Sequence, residues 1–175
     1  HGPGSFTGIR IGIAAVKGMA LSYNRPCIGL STLEVIAHNI SYFNGIICSV
    51  MDARREQVYN AMFNCNGNYL DRITNDRAIS IEDLGHEIEA INKPCILVGD
   101  GAEVCYNRLR ENNGKIFIAP ANLRYQNASA AAKLAFEYYS QGQAVSAAEL
   151  NPVYLRLPQA QREMLEKKSA DKVCQ

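Results

Sequence analysis

The chain has 175 residues, 47% of them hydrophobic, and a formal net charge of +1 at pH 7. A chain of this length forms one ordinary domain or two small lobes and can bury a sizeable core. The near-neutral charge argues against a nucleic-acid-binding surface, which is usually clearly basic, and no apolar run approaches the roughly 20 residues that span a bilayer. No secretory leader is visible, so we expect a cytoplasmic protein without a membrane segment.

The first predicted element is a glycine-rich turn over residues 2–8 that leads into a helix over 8–21. Ser5 or Thr7 can cap the first helical turn. The spacing of the glycines fits neither a dinucleotide fingerprint nor a P-loop, and it fits no nucleophile elbow. We therefore favour a structural turn over an anion site.

This helix carries two faces, one apolar and one almost without side chains. Each glycine inside a helix costs about 1 kcal/mol relative to alanine, which suggests that another backbone lies close, most simply a second helix. The apolar face comprises Ile9, Ile13, Val16 and Ala20, and the small face Gly8, Gly12, Ala15 and Gly18. The residues that we predict at a partner interface are Gly8, Ile9, Gly12, Ile13, Ala15, Val16 and Met19.

Two further elements and a turn follow. Residues 27–30 indicate a short buried strand, and Ser31 with Glu34 forms a capping box that opens a helix over 32–40. The pair Asn44-Gly45 predicts a turn, which we place at the crossing between two lobes.

The rest of the chain predicts an α/β domain. Three antiparallel strands form a meander, and strands and helices then alternate, which is typical of a mixed sheet. The predicted elements are strands 46–51, 57–63 and 69–73, helix 81–91, strand 95–98, helix 102–111, strand 115–118 and helix 128–141.

Several motifs resemble those of the TsaB (YeaZ) family, at residues 2–12, 15–20, 28–34, 51–59, 99–102 and 152–156. The resemblance implies an α/β fold of the actin and Hsp70 type (ASKHA) with ribonuclease-H-like lobes. It also implies an N-terminal truncation, so that the second lobe dominates. On this basis we expect a remnant of the first lobe over 1–43, the second lobe over 44–158 and a polar tail over 159–175.

The resemblance implies a function as well. Members of the family act beside the catalytic subunit TsaD in making threonylcarbamoyladenosine on transfer RNA, next to the anticodon, and are regarded as non-catalytic scaffolds. The implied partners are TsaD in a heterodimer and TsaE in a larger complex, with transfer RNA contacted only indirectly. A homodimer and ATP or ADP at the interface with TsaD stay open, and no cofactor is expected on this chain alone.

A degenerate nucleotide site is a weaker expectation. Relatives of this fold hold phosphates on an acidic residue followed by glycines, and Asp52 stands at that place with Ala53 and Arg54 instead. We favour a plain hairpin here, because side chains crowd the approach that glycine allows. Gly99 and Gly101 occupy the place of the adenosine motif, although a strand–Gly–x–Gly–helix turn is equally common architecture.

Catalysis by the chain alone has little support in the sequence. The six cysteines form no C-x-x-C pair and match no zinc spacing, so we expect reduced thiols and no metal. No H-x-x-x-H pair and no Ser/His/Asp arrangement stands out. The open alternatives are an ATP-hydrolysing enzyme of the sugar-kinase type and, less favoured, a peptidase.

Overall fold

The computed structural model describes residues 1–40, 42–67, 69–111 and 114–156. The helices are α1 Phe6–Ser22, α2 Thr32–Ala37, α3 Ile81–Ile91, α4 Ala102–Leu109 and α5 Ala128–Ser140, with a 3-10 turn at Ala121–Leu123. The strands are β1 Asn44–Asp52, β2 Gln57–Asn66, β3 Leu70–Arg72, β4 Arg77–Ser80, β5 Cys95–Val98 and β6 Ile116–Ile118. The predicted tail over 159–175 lies outside the described residues.

All six strands belong to one mixed sheet with the order β3-β2-β1-β5-β6. β1 pairs with β2 in antiparallel register, from Asn44 opposite Asn66 to Asp52 opposite Val58. On its other side β1 pairs in parallel with β5, which pairs in parallel with β6. The predicted antiparallel meander followed by strand–helix alternation is confirmed, and so is the α/β class.

Helices cover both faces of the sheet. Successive side chains of a strand point to opposite faces, so neighbouring residues of β1 pack against different helices. Cys48 of β1 packs with Leu84 of α3 and Cys105 of α4. Its neighbour Ile47 packs with Leu33 of α2 on the other face. Among the described residues, no helix is long and apolar enough to cross a bilayer.

Two predicted elements near the start of the sheet are wrong. Residues 27–30 form no strand: Cys27 exchanges two backbone hydrogen bonds with Val145, at 2.8 and 2.9 Å, and the pairing stops there. Asn44 and Gly45 form no turn but begin β1. Glycine is needed at position 45 because its φ is +150° and a Cβ would lie 2.4 Å from the carbonyl oxygen of Pro94.

Smaller differences concern strand β4 and the ends of helices. β4 was not predicted, because it has four residues and follows the turn-like pair Asn75-Asp76. It pairs with Gln57–Asn60 of β2, while β3 pairs with the far end of the same strand. α2 ends at Ala37 and α4 at Leu109, earlier than predicted.

Candidate functional site

Helix α1 lies outside the sandwich of sheet and helices. It begins at the predicted cap, because the Ser5 hydroxyl accepts a hydrogen bond from the Gly8 amide at 3.4 Å. Of its 17 residues only Ala20 is buried. A helix of this length normally buries a continuous apolar stripe against its own domain, so α1 is unusually exposed.

The inner face of α1 rests on a small apolar cluster. Ile13 and Ala20 pack there with Cys27, Ala147 and Leu150. Ile9 is half-buried too, and its side chain lies against Gly2 and Gly4. Ile9 and Ile13, both predicted at a partner interface, therefore face the chain's own glycine-rich turn and cluster.

The outer face of α1 carries the other five predicted interface residues, and all of them are exposed: Gly8, Gly12, Ala15, Val16 and Met19. Ile11 and Leu21 add to the exposed apolar surface, at 65% and 69% exposure. A Cβ at Gly12 or Gly18 would meet nothing within 4 Å. Nothing described in this chain thus requires glycine at those two positions.

Both charged residues of α1 donate hydrogen bonds to residues of the segment 148–154. Arg10 donates from Nε to the Tyr154 hydroxyl at 2.8 Å, and Lys17 donates from Nζ to the Ala148 carbonyl at 3.1 Å. The helix has no other charged residue. Its outer face is consequently small, apolar and free of charge.

Residues 152–156, which we call the strap, link α1 to the β1–β2 hairpin. The Val153 amide donates to the His1 carbonyl at 3.1 Å. The Tyr154 ring lies 4.9 Å from the Phe6 ring, and the Arg10 guanidinium lies 3.9 Å above Phe6. At the other end Arg156 donates from Nη1 to the Ala53 carbonyl at 2.6 Å.

A cleft of about 560 Å³ lies between the glycine-rich turn, the hairpin and the strap. Asp52 and Arg54, two of the predicted nucleotide-site residues, line it together with Asp100. Aromatic rings from three separate segments also line this cleft: Phe6, Tyr59 and Tyr154. The motif at 152–156 is visible in the sequence, but its place beside the cleft depends on the tertiary structure.

The hairpin that carries Asp52 and Arg54 has an unusual backbone. Arg54, Arg55 and Glu56 all have positive φ, between 55° and 62°. This conformation costs roughly 1–2 kcal/mol for each residue with a Cβ. The Asp52 carboxylate accepts from the Arg54 amide at 2.7 Å and stabilises the turn. The predicted hairpin is present, and its loop is left-handed.

The glycines of the Gly99-Asp100-Gly101 turn have a packing role. A Cβ at Gly99 would lie 2.0 Å from the Val50 carbonyl oxygen, and one at Gly101 would lie 3.0 Å from the Asp52 amide nitrogen. The Asp100 carboxylate accepts from that same Asp52 amide at 3.1 Å. The turn therefore lies directly on the end of β1. Gly101 lines a second cleft, of about 790 Å³, between α3, α4 and the hairpin.

The cysteines that the structure describes are buried. Burial is the first cause that raises the pKa of the Cys105 thiol to about 12. The pKa of Cys48 is also raised, first by its hydrogen bond with Cys95 and then by burial. Within the described ranges no group of three or more His, Cys, Asp or Glu side chains could hold a metal ion.

Comparison with known families and proteins gives consistent matches. Residues 1–164 match a family model described as TsaD, tRNA N6-adenosine threonylcarbamoyltransferase. The chain is 31% identical over 166 residues to the tRNA threonylcarbamoyladenosine biosynthesis protein TsaB of Bacillus subtilis (strain 168), covering 94% of this chain and 71% of that protein. It is 29% identical over 159 residues to TsaB of Escherichia coli (strain K12), covering 89% of this chain and 68% of that protein.

Two solved structures from Pseudomonas aeruginosa share the fold. One, an uncharacterized protein with similarity to peptidase YEAZ, has a TM-score of 0.72 at 24% identity over 89% of this chain and 70% of its own. The other, YeaZ, has a TM-score of 0.68 at 22% identity over 87% of this chain and 71% of its own. At these identities the likeness concerns the fold. With the sequence matches, it leads to one conclusion: the chain belongs to the TsaB family, within the wider group that the TsaD model describes.

Proposed function

We propose that this chain is a non-catalytic subunit in the synthesis of threonylcarbamoyladenosine on transfer RNA and that α1 binds a helix of TsaD. The observation that carries the proposal is the outer face of α1, which is exposed, uncharged and nearly free of side chains at Gly8, Gly12 and Ala15. Two relatives are named as tRNA threonylcarbamoyladenosine biosynthesis proteins, which supports a role in that synthesis. Because the substrate of this synthesis is transfer RNA, we place the protein in the cytoplasm.

The physical reason is the cost of such a helix in isolation. Three glycines at about 1 kcal/mol each lower the stability of α1, and its single buried residue contributes little stabilisation by packing. A partner helix changes this balance, because small residues let two backbones approach and exclude water from both faces. A helix of 17 residues is about 25 Å long, enough to anchor an interface of the standard size of roughly 1,600 Å². TsaD is the partner to which we commit; a second copy of this chain, and TsaE in a larger assembly, are further arrangements of the same proposal.

A nucleotide, in this proposal, binds between the 560 Å³ cleft and TsaD and not in the chain alone. Two backbone donors of the Gly99–Gly101 turn are already engaged: the Gly101 amide bonds to the Val50 carbonyl at 3.2 Å and the Ala102 amide to the Gly99 carbonyl at 3.1 Å. Arg54, which lines the cleft, stands where a phosphate-binding loop has glycine, and a side chain at that position crowds the approach of a phosphate from this chain alone. What this chain can offer is Arg54 and the aromatic lining of the cleft.

The decisive experiment compares three variants for binding to purified TsaD by titration calorimetry and by light scattering after size exclusion. Gly12→Leu places a bulky side chain on the outer face of α1, and Gly12→Ala keeps the face small. Ala132→Leu is the matched control, because it puts the same side chain on an exposed position of α5. We expect Gly12→Leu alone to weaken binding by a hundredfold or more, with the melting temperature unchanged or raised.

Unchanged affinity of Gly12→Leu would refute the placement of the partner on α1. Heat from ATP and magnesium with the isolated chain, followed by phosphate release, would favour the sugar-kinase alternative over the scaffold. Turnover of casein by the purified chain, absent from a mock preparation, would favour the peptidase alternative.

A further inference from the structure

Helix α1 packs on a small cluster outside the sheet. On its inner face Ile13 and Ala20 contact a few residues of the connecting segments, among them Ala147 and Leu150. Burial of apolar surface contributes roughly 25 cal/mol per Å², and a cluster of this size buries little of it, so its contribution to holding α1 in place is small. The orientation of α1 relative to the sheet therefore depends on other contacts as well.

The strap supplies those contacts on the side of α1. Tyr154 accepts a hydrogen bond from Arg10, and its ring packs against Phe6, which lies one turn earlier on the same helix. The Arg10 guanidinium lies over both rings, 3.9 Å from the centroid of Phe6 and 5.7 Å from that of Tyr154. Stacked arginine and aromatic groups restrict one another's rotation, so these contacts fix the first turns of the helix.

The same strap is attached to the sheet two residues later. Arg156 donates to the Ala53 carbonyl, where the hairpin leaves β1. Just before Tyr154, Val153 approaches the glycine-rich turn so closely that a Cβ at Gly2 would lie 2.6 Å from the Val153 carbonyl oxygen. A segment of five residues therefore spans the distance between the helix and the central strand of the sheet.

We propose that Tyr154 and Arg156 are positioning residues for the docking of the partner on α1. The inference rests on the proposed function and adds to it the part of the chain that sets the geometry. The strap holds α1 at a fixed angle to β1, so that a protein bound to the outer face of α1 also lies against the hairpin and the cleft. Without the strap, α1 loses its fixed orientation and its first turns open more often, and the two surfaces no longer bind one rigid partner together.

The test measures hydrogen–deuterium exchange of the free chain and its affinity for TsaD in the same set of variants. Tyr154→Ala removes the ring and the hydroxyl, Tyr154→Phe removes the hydroxyl only, and Arg156→Ala removes the attachment to Ala53. Tyr139→Ala is the matched control, because Tyr139 is an exposed tyrosine on α5. Thermal unfolding is recorded for each variant.

We expect Tyr154→Ala and Arg156→Ala each to speed exchange in α1 by about tenfold and to weaken TsaD binding to a similar degree, the equivalent of about 1.4 kcal/mol. Exchange in β1 and β2 stays as in the wild type. Tyr154→Phe gives an intermediate effect, because the stack with Phe6 and Arg10 remains. In the double variant Arg10→Met with Tyr154→Phe, the loss is no larger than in the worse single variant, because both groups act through one hydrogen bond.

Three outcomes overturn the inference, and they can be told apart. If Tyr154→Ala and Arg156→Ala leave both α1 exchange and TsaD affinity unchanged while Gly12→Leu abolishes binding, the strap has no positioning role and the docking face stands. If the wild-type chain does not bind TsaD at all, the proposed function fails and the inference fails with it. Equal loss of affinity in Tyr139→Ala would show that the effect is not specific to the strap.

Discussion

The guanidinium of Arg156 donates a hydrogen bond to the carbonyl of Ala53, 103 positions earlier in the chain. Ala53 follows β1, the strand that pairs on one side with β2 and on the other with β5. The contact therefore ties the end of the described chain to the middle of the sheet. It lies beside the left-handed hairpin and the cleft, where three distant segments of sequence meet.

Two glycines of this protein should respond in opposite directions to alanine. Gly99 has a φ of +109°, and its Cβ would lie 2.0 Å from the Val50 carbonyl, so Gly99→Ala should lower the free energy of unfolding by about 3–5 kcal/mol. Gly12 lies in an exposed helix with open space around it, so Gly12→Ala should raise it by about 0.5–1 kcal/mol. Urea unfolding of both variants measures these changes. Equal effects at the two sites would contradict the packing of Gly99 on β1.

Asn60 is the buried polar side chain on which we expect stability to depend most. Its Nδ2 donates to the Ser49 carbonyl at 3.1 Å, and its Oδ1 accepts from Arg77 at 3.2 and 3.3 Å. Asn60→Ala removes these hydrogen bonds and leaves Arg77 with its ion pair to Glu87, so that the buried groups that faced Asn60 lose a partner at a cost of about 1–3 kcal/mol. Asn64→Ala, on the same strand, should cost less than about 1 kcal/mol, because its bond to Lys93 is exposed. Urea denaturation, analysed with one common m value, measures the free energy of unfolding of both variants.

Tyr138 should titrate at a higher pH than an ordinary tyrosine. Burial, followed by its hydrogen bond to Glu34, raises the pKa of Tyr138 to about 12 from an ordinary value of about 10. Since the folded-state pKa is the higher one, the unfolded chain loses this proton first as the pH rises. The corresponding stabilisation is complete below pH ~10 and is lost as the pH rises through about 12. Ultraviolet difference titration measures this: a tyrosine titrating near pH 12 should be seen in the wild type and be absent from Tyr138→Phe.

The buried thiols should resist alkylation in the folded protein. Cys48, Cys95 and Cys105 are buried, and the pKa values of Cys48 and Cys105 are raised, so little thiolate forms near pH 7. N-ethylmaleimide should label peptides with these residues in urea and leave them unlabelled in buffer, as followed by mass spectrometry. Rapid labelling of Cys105 without denaturant would contradict its burial against the sheet.

Much of the fold could be predicted because its signals are local. The caps at Ser5, Ser31, Ser80 and Asn127 all accept the expected backbone hydrogen bond. The long runs of apolar residues mark β1 and β5 as central strands. The errors occur where a tertiary contact decides the structure: Gly45 reads as a turn residue but lies in a strand, since Pro94 approaches its backbone.

The candidate site could be predicted only in its separate parts. The small face of α1 is visible in the sequence because the glycines recur at helical spacing. That Arg10 and Lys17 both bond toward the end of the described chain is a relationship across 144 and 131 positions, which no local pattern contains. The left-handed loop is equally hidden, because arginine and glutamate seldom adopt positive φ. Whether α1 binds a partner stays a prediction for the experiments above.

The hairpin loop also gives the molecule a built-in reporter. Two consecutive arginines, Arg54 and Arg55, lie at an exposed tip in a backbone conformation that trypsin cannot bind as an extended strand. The loop is held in that form partly from outside, through Ala53. The rate of tryptic cleavage at this tip should therefore rise, without any label, when Arg156 releases the carbonyl of Ala53.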